Sequence, residues 1–266
     1  PGYPSYRNIL KALSLVPVGI PTQADNRFQP VPGDITPDLA GLLVASPANP
    51  TGTMLDRAAL QALMEACRTT GAAFISDEIY HGIQYGGRAI SALEVDDEAY
   101  VINSFSKYFS MTGWRIGWMV VPESHLRRIE RLAQNLFICP SHASQIVALA
   151  ALDCEAELVA NLEVYGRNRQ LLCEGLPQAG FTRLAPPDGA FYLYADVSEF
   201  GQDSRDLAAI ILGDAGVAVT PGLDFDPQRG RGTLRISYAG PTSEMEEGLR
   251  RLIDWNAGRR AAFSSR

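Results

Sequence analysis

The chain has 266 residues, 46% of them hydrophobic and 20% charged, which is a globular composition for one large domain or two ordinary ones. A formal net charge of -7 argues against a nucleic-acid surface built on bulk positive charge. No apolar run approaches the ~18 residues that a membrane helix needs. Four cysteines, none in a C-x-x-C pair, and histidines only at 81, 125 and 142 match no familiar metal-ligand spacing. The reading is a metal-free, soluble protein of a reducing, cytoplasmic compartment. The chain starts at Pro1, without a basic region followed by an apolar stretch, and is expected to be the later part of a longer protein.

Residues 41–46 are a short apolar run ending at Pro47, which predicts a buried strand. Residues 56–70 show helical spacing, with Asp56 as N-cap and Gly71 as stop. Further strands are predicted at 72–76, 100–104 and 116–121, and helical patterning runs from 123 to 176. Within it, 155–176 is long enough to link two bodies. Beyond Gly180, strands at 190–195 and 233–238 alternate with helices at 203–214 and 242–256, and the tail after Trp255 is expected to fray. The predicted fold is α/β: a large domain over 1–165 with a mostly parallel sheet, then a smaller α+β domain over 166–266.

Three polar clusters each follow a predicted strand, where open α/β sheets bind their ligands. The first, Asn49-Pro50-Thr51-Gly52, also reads as a turn. The second runs from Ser76 to Tyr80; its Asp77 directly follows an apolar run and, if buried, needs a partner. The third contains Ser104, Ser106 and Lys107 and continues through M-T-G-W-R-I-G-W. Of the 23 basic residues only Lys11 and Lys107 are lysines, so a lysine flanked by Phe105 and Tyr108 is not an ordinary surface charge here. Desolvation favours its neutral amine, the form a Schiff-base nucleophile needs. Arg115, between Gly113 and Gly117, suits a phosphate or carboxylate. Arg235, in L-R-I-S-Y, is either an edge-strand surface residue or a carboxylate clamp.

A lysine for an aldehyde, an acid for a pyridine nitrogen, a tyrosine and an asparagine for a phenolate oxygen, and serines with an arginine for a phosphate are what pyridoxal 5'-phosphate requires. With N-P-T-G, D-E-I-Y, S-F-S-K and M-T-G-W-R-I-G-W in this order, the chain resembles the class I/II aminotransferases, fold-type I pyridoxal-phosphate enzymes, from Pro1 to about Trp255. The last stretch looks most like bacterial aspartate-type members. The resemblance implies that Lys107 is the Schiff-base lysine, that Asp77 pairs with the ring nitrogen, and that Asn49 and Tyr80 hold the 3-oxygen. It also implies that Ser104, Ser106 and Arg115 hold phosphate, that Tyr3 stacks on the ring, and that Arg235, with Asn49, binds the substrate carboxylate. Amino acid and 2-oxo acid substrates and a homodimer follow, with no nucleic acid or membrane partner. The family's glycine-rich phosphate loop would precede P-G-Y-P. A lyase or synthase of the same fold uses the same lysine, and a transcription regulator's ligand-sensing domain is the reading from another class.

Overall fold

The computed structural model describes residues 1–264. After helix α1 (Pro4–Ala12), the first sheet contains β1 (Gly41–Ala45), β2 (Ala73–Asp77), β3 (Tyr100–Ser104) and β4 (Gly117–Val120), in the order β1-β2-β3-β4. The first three strands run parallel and β4 is antiparallel to β3. All four predicted strands of this domain form, each within about two residues of its expected limits. Helix α2 (Arg57–Thr70) makes the crossover from β1 to β2. Asp56 accepts from the Ala59 N–H at 2.8 Å at its start, and Gly71, at φ +76°, ends it in the left-handed region. Leu60, Leu63, Met64 and Cys67 bury one helix face against Leu42, Val44, Phe74 and Val101 of the sheet. Full burial of a large aliphatic side chain contributes roughly 1.5–3 kcal/mol, so this contact carries the large domain's stability.

The predicted helical stretch resolves into α3 (Glu123–Leu136), α4 (His142–Ala151) and α5 (Glu155–Gly175). The C-terminal half of α5 places Leu172 in the second core, beside Leu176, Leu193, Leu207, Ile211, Leu234 and Trp255. This core lies under a wholly antiparallel sheet ordered β5-β6-β8-β7, comprising Arg183–Leu184, Tyr192–Asp196, Thr233–Ser237 and Thr220–Pro221 respectively. Two helices, α6 (Ser204–Ala215) and α7 (Thr242–Ser264), cover it. The tail does not fray after Trp255. Helix α7 continues to Ser264, and only residues 265–266 of the expected frayed tail lie outside the described residues. No described helix is long and apolar enough to cross a membrane.

Connecting segments of the two bodies meet through backbone hydrogen bonds. The Ala190 N–H donates to the Ile83 carbonyl at 2.9 Å, Tyr85 to Asp188 at 2.7 Å, and Gly189 to Gly52 at 2.9 Å. Approach at Gly189 is so close that a Cβ would stand 2.5 Å from Pro47 Cγ and 2.7 Å from the Ile83 oxygen. Only glycine fits there. The first residues tie to the second body as well, since the Gly2 N–H donates to the Phe225 carbonyl at 3.0 Å.

Candidate active site

Because β1, β2 and β3 are parallel, their carboxyl ends lie on one side of the sheet, and each carries one of the three polar clusters. Asn49 follows β1, Asp77 is the last residue of β2, and Lys107 stands three residues beyond β3. The turn reading of N-P-T-G is met. The Gly52 N–H donates to the Ala48 carbonyl at 2.8 Å, closing the turn, while the buried Asn49 side chain points away and accepts from Arg235 Nη1 at 2.9 Å.

Asp77 accepts the Ile79 N–H on Oδ1 at 3.0 Å, a local capping-type bond, and the Tyr6 hydroxyl on Oδ2. A carboxylate has about four acceptor positions, so two remain for an N–H donor. Burial pushes the Asp77 carboxyl above its ordinary value, while the Tyr6 and Ile79 hydrogen bonds pull the other way. Tyr80 is 3% exposed, and its hydroxyl lies 2.8 Å from that of Tyr192.

Lys107 is half-buried, with no hydrogen-bond or ion-pair partner among the described residues. Its Nζ stands 5.9 Å from the Tyr80 ring centre and 5.8 Å from that of Phe191. The aromatic neighbours expected from sequence, Phe105 and Tyr108, are not the ones over the amine. Phe105 packs on Phe109 and Trp118, and Tyr108 lies against Gly82. Consecutive side chains leave the backbone in different directions, and the rings that reach Nζ come from the residue just before β6 and from the loop after β2. Desolvation lowers the pKa of this amine, Tyr3 opposes that shift, and the positive charges of Arg235 and Arg115 add to it.

Ser104 Oγ accepts the Ser106 N–H at 3.0 Å and lies 2.9 Å from Ser106 Oγ and 3.0 Å from the Ile116 carbonyl. The two serines thus form one hydroxyl pair beside Lys107. Arg115 adopts the left-handed conformation, φ 52°, and its Nη1 donates to the Thr112 carbonyl at 2.9 Å, which braces the fork and leaves Nε and Nη2 without a partner among the described residues. Tyr3 is 43% exposed and packs edge-on against Tyr6. Arg235 lies on β8, an interior strand between β6 and β7, so the edge-strand reading does not hold. Its guanidinium stacks 4.3 Å from the Tyr192 ring centre and 4.7 Å from that of Phe225. The buried Nε has no partner among the described residues. A buried guanidinium N–H without an acceptor costs free energy.

Sequence reasoning missed Tyr6 and Tyr192. Tyr6 follows Tyr3 by three residues on α1, and that helical spacing was the available signal. Tyr192 lies inside an apolar strand and offered none.

Fold and site together define an α/β protein in which an amine, an acid and a guanidinium lie near one another. The chain belongs to the aminotransferase class I and II family, whose model matches residues 1–252. It is 48% identical over 262 residues to a valine–pyruvate aminotransferase of Mycobacterium tuberculosis, covering 96% of this chain and 68% of that protein. A Silicibacter pomeroyi protein of known crystal structure superposes with a TM-score of 0.95 at 69% identity, covering 97% of this chain and 70% of the other. The aspartate aminotransferase of Thermus thermophilus, solved with maleate, gives 0.87 at 33% identity, covering 96% and 68%. The chain therefore spans about two thirds of these relatives' length. The chain is a transferase of amino groups, and membership of this family does not favour the lyase, synthase or regulator readings.

Proposed function

We propose that this aminotransferase works with pyridoxal 5'-phosphate, held by the residues that converge on Lys107, and moves an amino group from an α-amino acid to a 2-oxo acid. The observation that carries the proposal is the Lys107 amine, unpartnered among the described residues, near a half-buried Asp77 that keeps acceptor positions open and near an Arg235 whose Nε is orphaned among those residues. These groups fit the cofactor. Lys107 would hold its aldehyde covalently, Asp77 its ring nitrogen, Tyr80 and Asn49 its 3-oxygen, and Ser104, Ser106 and Arg115 its phosphate, with Tyr3 against the ring face. When bound, the cofactor supplies an aldehyde that ties up the substrate amine and a cationic ring that draws electron density from the α-carbon.

The chain's own residues do the rest. Arg235 fixes the substrate carboxylate, with Asn49 bracing the fork. Lys107 Nζ takes up and returns the α-proton, and its lowered pKa keeps more of it in the neutral form that this needs. Asp77 keeps a negative charge opposite the ring nitrogen, and Tyr6 helps it stay ionised despite burial. As for the donor, the M-T-G-W-R-I-G-W stretch leans towards aspartate, while similar relatives are named for aspartate and for valine with pyruvate. The α-amino acid and 2-oxo acid pairing common to them is the substrate class proposed.

A homodimer is part of the proposal. Its support is a run of exposed apolar side chains at and after the end of α3, Leu132, Leu136, Phe137 and Ile138, which a second copy would cover. Four free cysteines support a reducing, cytoplasmic compartment. The division into domains 1–165 and 166–266 is proposed with its boundary inside α5, whose later half joins the second core.

The test is borohydride reduction of the cofactor-loaded chain followed by peptide mapping. The pyridoxyl label is expected on Lys107; a label on Lys11, or on no lysine, overturns the assignment. Separately, Arg235→Lys is expected to raise KM for amino acids about tenfold or more while leaving the cofactor absorbance in place, because lysine cannot form two parallel hydrogen bonds to a carboxylate. Amines without a carboxylate reacting as well as amino acids with the unaltered enzyme would remove the clamp.

A further inference from the structure

Tyr192 is the first residue of β6, on the second body, yet its hydroxyl lies 2.8 Å from that of Tyr80, on the loop after β2. The two rings meet edge to face, with centres 5.7 Å apart. Both residues are buried, at 5% and 3% exposure, and neither hydroxyl has another hydrogen-bond partner among the described residues. Burial pushes both phenols up from their ordinary value, so both keep their protons at neutral pH.

Two hydroxyls at this distance share one proton between their oxygens and leave a second to point elsewhere. Either Tyr80 donates to Tyr192 and the spare proton sits on Tyr192, or Tyr192 donates to Tyr80 and the spare proton sits on Tyr80. An anionic acceptor facing Tyr80 selects the second order. Donation from Tyr192 then polarises Tyr80 and makes it a stronger donor, since hydrogen bonds in a chain reinforce one another at low dielectric. The Tyr192 ring carries the Arg235 guanidinium on its face at 4.3 Å, and a desolvated cation over a phenol ring is held in a set plane.

We propose that Tyr192 is a positioning residue for both halves of the cleft. Its hydroxyl aims the proton of Tyr80 at the cofactor's 3-oxygen, and its ring holds the Arg235 fork flat for the substrate carboxylate. This rests on the roles given above to Tyr80 and Arg235, and the experiment separates the two levels.

The first measurement is a spectrophotometric pH titration of the visible absorption of the full, cofactor-loaded chain. A donor to the 3-oxygen stabilises negative charge there, most of all in the deprotonated form, so loss of the donor raises the midpoint. Tyr80→Phe is expected to raise it. Tyr192→Phe is expected to raise it too, but less, by about half a pH unit, as for part of one neutral hydrogen bond. A shift with Tyr80→Phe and none with Tyr192→Phe overturns the proton-aiming role alone. No shift with Tyr80→Phe overturns the Tyr80 assignment and the aiming role with it.

The second measurement is the affinity for the unreactive carboxylates succinate and 3-methylbutanoate. Tyr192→Phe keeps the ring and is expected to bind within about twofold of the unaltered chain. Tyr192→Leu is expected to bind about tenfold more weakly, the size of one desolvated cation–ring contact. Unaltered binding by Tyr192→Leu overturns the role of the ring. Thermal melting of the Phe variant within a few degrees of the unaltered chain, as expected when only one buried hydroxyl pair is broken, ties the spectral shift to the hydroxyl.

Discussion

Lys107→Ala is expected to lower the rate of amino transfer about 10⁴-fold, the upper end of what a positioned proton-transfer group contributes. The structure gives the reason. Nζ stands between the Tyr80 and Phe191 rings with Asp77, Arg115 and Arg235 close enough to act on its charge. The chain's other lysine, Lys11, is exposed near the end of α1 and has no route to that position. Exchange of the substrate α-proton with deuterated solvent isolates the step from product release. Exchange at the unaltered rate in the alanine variant would place the proton-moving group elsewhere.

Asp77→Asn should lower turnover between about a hundredfold and several thousandfold. Removing one partner of a buried charge pair costs about 3–5 kcal/mol, and each 1.36 kcal/mol is about tenfold in rate. The same change should stabilise the cofactor-free protein at neutral pH. Burial raises the pKa of the folded Asp77 carboxyl above its unfolded value. The stability linked to this group is then fully present below the ordinary carboxylate pKa and lost as pH rises through the raised one. The asparagine variant lacks that loss, so its melting temperature should exceed that of the unaltered cofactor-free chain only above this window. Equal melting temperatures at neutral pH, or turnover near the unaltered value, would mean that Asp77 is no more than a cap for Ile79.

Much of this arrangement is legible in the sequence, for identifiable reasons. Strands β1 and β2 are apolar runs closed by a polar or proline residue, and α2 carries both of its capping signals, at Asp56 and Gly71. Asn49, Asp77 and Lys107 stand out because each follows an apolar strand, and parallel pairing then places them on one edge. Helix α1 is not among the predicted elements, although Tyr6, Ile9, Leu10 and Leu13 stand at helical spacing. Tyr6 and Tyr192 escape because each acts through a contact with a distant part of the chain, 71 and 112 positions away. The rings over Lys107 escape likewise. Sequence neighbours suggest Phe105 and Tyr108, but packing brings Tyr80 and Phe191. Helix α7 extends past the expected frayed end because its arginine- and serine-rich tail still forms helix as far as Ser264.

The long reach of these contacts also sets an order of assembly. The first core forms from β1, α2, β2 and β3, neighbours in the chain between Gly41 and Ser104, and the second is built mainly from residues beyond Leu172. The cleft, by contrast, closes only when Asn49 meets Arg235, 186 positions away, and Tyr80 meets Tyr192. Distant pairings must pay their loop-closure entropy before they gain anything, so they form after the local ones. During refolding, the ability to capture an aldehyde therefore lags behind the recovery of helix and sheet, and its time course clocks the docking of one finished body onto the other.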